Sequence, residues 1–312
     1  MHEFELIARL KPLLPTNDFV VAGAGDDCAV LDLGDSGFHT LLKTDAVVEG
    51  VHFLPDADPE KVGHKAMARA LSDIAAMGGQ PTAAVVTLAL PPKHDTAWVE
   101  ALYRGMGRTA ARFQVAIVGG ETTTNPGQIL VSIALIGRVP RTQTLRRSGS
   151  MAGDAILVSG ELGGSIAGRH LEFEPRLPQG QWLASTGKVH AMIDISDGLA
   201  GDLRHLLEMG GNLGAELLGS AIPISRTAKL RAREGELAKP AMIAALTDGE
   251  DFELLFTVAA RDAVPIMDGW RERFPDVRLS CIGRITAGPS AIIRDRHGVR
   301  ELPPRGYEHF GH

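Results

Sequence analysis

The amino-acid sequence predicts an α/β protein built from two domains. Short, apolar, β-branched runs alternate along the chain with amphipathic helical patterns. One polar segment rich in small residues, "PRTQTLRRSGSMAGD" at 140–154, interrupts the alternation, which then restarts. With 312 residues, 44% apolar and 22% charged, the chain can bury two cores of ordinary size.

Taken in order, "MHEFELIARLKPLLP" reads as a short amphipathic helix with Ile7, Leu10 and Leu14 on one face. "HTLLKTDAVV" (39–48) is a strand. In "DPEKVGHKAMARALSDIAAMGG" (58–79), Asp58 serves as N-cap, Pro59 opens a helix and Gly78 closes it. "TAAVVTLAL" reads as a strand, "TAWVEALYRGMGRTAARF" as a helix, and "VAIVGG" and "ILVSIALIGRV" as strands. Past the polar segment come strand "AILVSG", a helix from "GGSIAG", strand "HAMIDIS" and helix "GLAGDLRHLLEMGG". Strand "FELLFTV", a helix near 262–273 and strand "RLSCIGRI" complete the pattern. The expected domains are 1–147 and 148–312, both α/β.

Composition excludes several classes of function. Lys and Arg total 32 against 38 Asp and Glu, a net charge of −6, which argues against non-specific nucleic-acid binding. The two cysteines, Cys28 and Cys281, stand in no metal spacing, so a reducing cytoplasm is the default. The N-terminus lacks the pattern of a signal peptide. The stretch "AAVVTLAL" is less than half of the roughly 20 residues a membrane-spanning helix needs.

The chemistry-bearing residues are acids at the ends of elements. Asp26 and Asp27 follow a Gly-Ala-Gly turn in "VAGAGDDCAV" and precede an apolar run. Either the turn is exposed and both are hydrated, or something cationic sits on them. Asp45 comes late in its strand, and Glu121 follows "VAIVGG" where that strand gives out. Asp194, Ser196 and Asp197 stand in "MIDISDGL", where a strand turns into a helix. Asp73 sits at the edge of an apolar helix face, where an unpaired carboxylate is costly. Each alone reads as a cap or turn residue, and Asp197 can N-cap the helix after Gly198. Their recurrence at element ends, without His or Cys partners, suits a hard cation such as Mg²⁺. No P-loop is present, and "GAGDDC" lacks the third glycine of a dinucleotide fingerprint.

Eight motifs in order resemble the thiamine-monophosphate kinases: "GAGDDCAV", "KTDAVVEGVHF", "ALSDIAAMGG", "VGGETTT", "LRRSG", "MIDISDGLAGDL", "DGEDFELLF" and "GYEHF". That family belongs to the superfamily of aminoimidazole ribonucleotide synthetase and selenophosphate synthetase. The resemblance implies a two-domain synthetase-like fold, an N-terminal mixed sheet with helices and a C-terminal α/β domain. It also implies ATP-dependent phosphorylation of thiamine monophosphate to thiamine diphosphate by a cytoplasmic homodimer. Carried over, Asp27, Thr44, Asp45, Asp73, Glu121, Asp194 and Asp197 match magnesium-binding positions. Gly120, Arg147 and Ser196 match ATP-contacting positions, and His52, Glu250 and Tyr307 match positions facing the thiamine substrate. No dedicated catalytic base is expected, because the acceptor is already a phosphate oxygen.

Three departures stand out. Asp is usual where Glu121 stands, and a small hydroxyl residue where Lys43 stands. An ammonium pointing inward at position 43 would replace a cation; a position using only its backbone carbonyl would make the change harmless. The stretch between "GGSIAG" and "HLEFEPRL" is shorter than the family pattern. The rival readings are another enzyme of the superfamily and a non-catalytic sensor of nucleotide or thiamine phosphate.

Overall fold

The computed structural model describes residues 3–235, 239–296 and 298–303. The elements run α1 (Glu3–Leu10), β1 (Val20–Ala22), β2 (Ala29–Leu31), β3 (Phe38–Val48), α2 (Pro59–Ala76), β4 (Gln80–Leu90), α3 (Thr96–Arg112), β5 (Ala116–Thr124) and β6 (Leu130–Pro140). They continue with β7 (Ala155–Ser159), α4 (Leu177–Thr186), β8 (Val189–Asp194), α5 (Leu199–Met209), β9 (Leu213–Leu218), α6 (Arg226–Glu234) and α7 (Ala241–Thr247). β10 (Leu254–Val258), α8 (Ala260–Arg273), β11 (Leu279–Ala287), β12 (Ala291–Asp295) and β13 (Gly298–Glu301) follow. Among the described residues, no helix is long and apolar enough to cross a membrane.

The chain forms two compact units, one of residues 18–144 with 170–181 and the other of 1–17, 145–169 and 182–312. The expected halves, 1–147 and 148–312, differ from these units by the segments 1–17 and 170–181 and by residues 145–147 at the boundary. Packing explains the return of 170–181. His64 of α2 bonds the Phe173 carbonyl through Nε2 at 2.8 Å, and Gly180 lets that segment approach the Ala75 carbonyl.

The first unit is a six-stranded sheet in the order β1-β2-β3-β6-β4-β5, antiparallel except for β4 with β5. Asp58 caps α2 by accepting from the Glu60 amide at 2.9 Å, with Pro59 in the first turn, as its sequence requires. Leu41 and Val47 of β3, Val131, Ile133 and Leu135 of β6, and Val86 and Leu88 of β4 are buried on the face that α2 covers. The opposite face leaves Leu42, Val85, Val118 and Ile136 exposed. β5 continues to Thr124, so Glu121 lies inside the strand and not at its end as the sequence suggested.

The second unit holds a seven-stranded sheet ordered β13-β12-β9-β11-β7-β10-β8. β7 and β10 are buried along their whole length, which suits strands covered on both faces. Ile156, Val158, Ile193 and Leu255 meet Leu199, Leu203 and Leu206 of α5 in one core. Trp270 of α8 forms a separate aromatic group with Trp182 and Phe274. The helix expected from "GGSIAG" is instead a pair of 3₁₀ turns, Ser165–Ala167 and Arg169–Leu171. Gly163, Gly164 and Gly168 all have positive φ, which breaks an α-helical run.

Candidate active site

Alternation along β3 decides which residues meet in the first unit. Lys43 and Asp45 project to the face covered by α2, in line with the buried Leu41 and Val47. Asp73 comes down from α2 to meet them. The Lys43 Nζ donates to Asp73 Oδ1 at 2.9 Å and stands 3.8 Å from Asp45 Oδ2. An Arg69 guanidinium nitrogen lies 3.9 Å from Asp45 Oδ1. Asp27 is buried, with a carboxylate oxygen within 4.8 Å of one from Asp73, whereas Asp26 is half-buried. The paired acids of the Gly-Ala-Gly turn therefore divide: Asp27 faces the cluster and Asp26 remains at the turn.

Mutual electrostatics mark the cluster. Burial works to raise the Asp45 carboxyl, but Lys43, a hydrogen bond with Asp73 and Arg69 hold it below the ordinary carboxylate range. Burial works to lower the Lys43 ammonium, but Asp73 and Asp45 outweigh it and hold the lysine above its ordinary value. Burial, then Asp73, push the neighbouring Cys28 thiol well above its usual value, so it stays a neutral thiol.

Thr44 and Glu121 lie on the opposite, open face of the same sheet. The register pairs Ala46 with Ser132, Ser132 with Thr87 and Thr87 with Glu121, one row across four strands. The Thr44 hydroxyl is 3.3 Å from Ser132 Oγ on that face. Gly120 falls in the covered row with Asp45, Ile133 and Val86. At φ +156° its backbone runs so close to β4 that a Cβ would lie 1.8 Å from the Val86 carbonyl. His52 is buried beyond the end of β3, accepting from the Val48 amide through Nδ1 at 3.0 Å. The wholly buried Lys65 donates to the His52 carbonyl at 2.7 Å and lies 2.7 Å from His170 Nδ1.

In the second unit, the turn from β8 to α5 carries Asp194, Ser196 and Asp197. Asp194 is buried and ends its strand. Asp197 does not cap α5: Gly198 holds the cap position without a side-chain bond. Asp202 takes that work instead, its Oδ2 accepting from the Asp197 and Gly198 amides at 3.0 and 3.1 Å. Burial, then Asp197 and Asp194, push the Asp202 carboxyl well above its ordinary range. Asp197, Asp202 and His205 can each bring one ligand atom within 4.8 Å of the others. Arg147 is near enough to Asp202 to oppose that rise, and the Arg146 carbonyl accepts from Met192 at 2.8 Å.

Glu250 is locked onto the same turn. Its amide donates to the Ser196 carbonyl at 2.7 Å, and the Phe252 amide donates to Ile195 at 2.7 Å. Both residues take left-handed backbone, φ 58° and 50°, which costs energy in a side-chain-bearing residue. Ser165 Oγ donates to the Glu250 carbonyl at 2.6 Å. Between them, the buried Asp251 accepts from the Gly163 amide at 2.9 and 3.0 Å and pairs with Arg169. Burial raises its carboxyl to about 7, against the opposing pull of Arg169. Glu253 accepts from Ser159 Oγ at 2.6 Å.

The predicted residues thus form an α2-side group (Asp27, Asp45, Asp73), an open-face pair (Thr44, Glu121) and a β8–α5 group (Asp194, Ser196, Asp197, with Glu250). Tyr307 lies outside the described residues. Sequence reasoning missed Asp202, Asp251 and Lys65. The signal for Asp202 was an acid four residues beyond Gly198, which can bond back to the helix start. The donor set is all oxygen in the first unit, as a hard divalent cation requires.

A domain model described as "AIR synthase related protein, N-terminal domain" matches residues 25–139. A thiamine-monophosphate kinase of Rhodopirellula baltica is 41% identical over 79% of this chain and 79% of its own. That of Salmonella typhimurium is 36% identical, covering 99% of this chain and 98% of its own. A solved structure of AaThiL complexed with AMPPCP and TMP superposes with a TM-score of 0.83 at 31% identity, covering 99% and 97% of the two chains. With that identity sustained from end to end over the fold and motifs described, the chain belongs to the thiamine-monophosphate kinase family.

Proposed function

We propose that the chain transfers the terminal phosphoryl group of ATP to the phosphate of thiamine monophosphate, giving thiamine diphosphate and ADP. The observation that carries this reading is the full-length match to thiamine-monophosphate kinases, with its structural neighbour holding AMPPCP and TMP together. Asp27, Asp45, Asp73, Glu121, Asp194 and Asp197, with Thr44, are the residues that would hold Mg²⁺. Bound Mg²⁺ supplies neutralisation of the phosphate oxygens.

The chain's own residues bind and orient. Gly120, whose missing Cβ lets β5 lie close against β4, contacts the nucleotide together with Arg147 and Ser196. In this reading His52, which is oriented by Val48 and braced through its carbonyl by Lys65, serves the thiamine substrate, as do Glu250 and Tyr307. The bonding of Glu250 to Ser196 couples the substrate-facing acid to the nucleotide-facing turn. The acceptor oxygen needs no base, so positioning is the protein's main contribution.

The same reading makes the protein a cytoplasmic homodimer. The open sheet face exposes Leu42, Val85, Val118 and Ile136, an apolar strip suited to a second copy. Light scattering at micromolar concentration should report twice the chain mass; a monomer would remove the dimer from this reading.

The activity test is formation of thiamine diphosphate and ADP by purified protein with Mg²⁺, ATP and thiamine monophosphate. Asp45→Asn and Asp197→Asn should each slow turnover at least about tenfold, about 1.4 kcal/mol in barrier. No product above background would overturn the proposal.

A further inference from the structure

Among the described residues, two cations face the carboxylates of the α2-side cluster: Arg69 stands 3.9 Å from Asp45 alone, whereas Lys43 reaches both Asp45 and Asp73. Lys43 stands on the covered face of β3 between Leu41 and Asp45, and its ammonium is turned into the carboxylates. It donates to Asp73 at 2.9 Å and lies 3.8 Å from Asp45, so it bridges the strand's acid and the helix's acid. Those are the two carboxylates that a divalent ion spanning β3 and α2 would need.

We infer that Lys43 is a built-in cation, whose ammonium fills one cation position of the carboxylate cluster so that the chain binds one divalent ion fewer than its acids could hold. The inference rests on the reading of that cluster as a Mg²⁺ site. A divalent ion placed between Asp45 and Asp73 would stand beside a positive charge already hydrogen-bonded to one of its own ligands. Repulsion between the two cations and the loss of an Asp73 oxygen both work against occupancy. The ammonium is tethered, so it offers this charge at every metal concentration and without ordering waters. It cannot supply the octahedral coordination of Mg²⁺; it serves as charge compensation, and the remaining acids would hold the ions that neutralise phosphate charge.

The test counts ions directly. Mn²⁺ binding to the full chain is measured by the electron paramagnetic resonance of free Mn²⁺, comparing the wild type with Lys43→Ser and Lys43→Arg. Lys43→Ser should bind one Mn²⁺ more per chain than the wild type, and Lys43→Arg, which keeps the charge, should bind the wild-type number. A second readout is thermal unfolding: without metal Lys43→Ser should melt below the wild type, and Mn²⁺ should raise its melting temperature by the larger increment. Lys43→Thr replaces Lys43→Ser if the serine variant does not fold. Equal, non-zero counts in wild type and Lys43→Ser would overturn the inference while leaving the metal site standing, because the lysine would then yield its place to an ion. Absence of Mn²⁺ binding in every protein would overturn the metal site and this inference together.

Discussion

Asp251 offers the sharpest test of how the loop from Gly249 to Phe252 is held. Its carboxyl is buried, accepts two contacts from the Gly163 amide and pairs with Arg169, yet burial raises it from 3.8 to about 7. A carboxyl with a raised native value binds its proton more tightly folded than unfolded. Its contribution to stability is therefore complete below about pH 4, declines as pH rises, and is gone above about pH 7. The interval from 3.8 to about 7 corresponds to about 4 kcal/mol, more than half of which falls between pH 5 and pH 8. Asp251→Asn keeps an acceptor for Gly163 and removes the titration. Urea unfolding of both proteins, followed by the fluorescence of Trp182 and Trp270 in the same unit, isolates the effect as a double difference. Relative to the variant, the wild type should lose about 2–3 kcal/mol on going from pH 5 to pH 8. A wild type that instead gains stability relative to Asp251→Asn as pH rises would show that Arg169 and the Gly163 amide outweigh burial, and the reasoning would be wrong in sign.

Two further outcomes are expected. Lys65→Met removes a buried donor from the His52 carbonyl and His170 Nδ1, so it should destabilise the protein by about 2 kcal/mol and raise the KM for thiamine monophosphate more than that for ATP; unchanged melting and equal effects on both substrates would show that Lys65 does not brace His52. Gly120→Ala forces a Cβ into the Val86 carbonyl at 1.8 Å, so β5 should shift from β4 and ATP binding, measured by calorimetry, should weaken at least tenfold, about 1.4 kcal/mol; wild-type affinity would show that the strand yields there without cost to the nucleotide site.

Much of this was legible in the residues themselves, because it depends on local chemistry. Asp58, Pro59 and Gly78 bound α2 through capping, a fixed φ and a left-handed exit, none of which needs a partner element. The β-branched runs of β3, β4 and β6 read as strands, and the ordered motifs named the family and its acids. Other features arose only when distant segments met. Thr44 and Asp45 are adjacent in sequence, and strand alternation sends them to opposite faces, but the covered face is determined by where α2 lies. Glu121 joins Thr44 on the open face only through the register of β5 on β4, which a bulge near Ala84 shifts by one residue. The 3₁₀ turns where "GGSIAG" suggested a helix accompany bonds from Gly163 to Asp251 and from Ser165 to the Glu250 carbonyl, more than eighty residues away. The direction of Lys43 was open in the sequence, since a strand lysine can reach solvent or fold inward. The carboxylate of Asp73, thirty residues on and carried by a different element, turns it inward: that attraction exists only once α2 lies across β3.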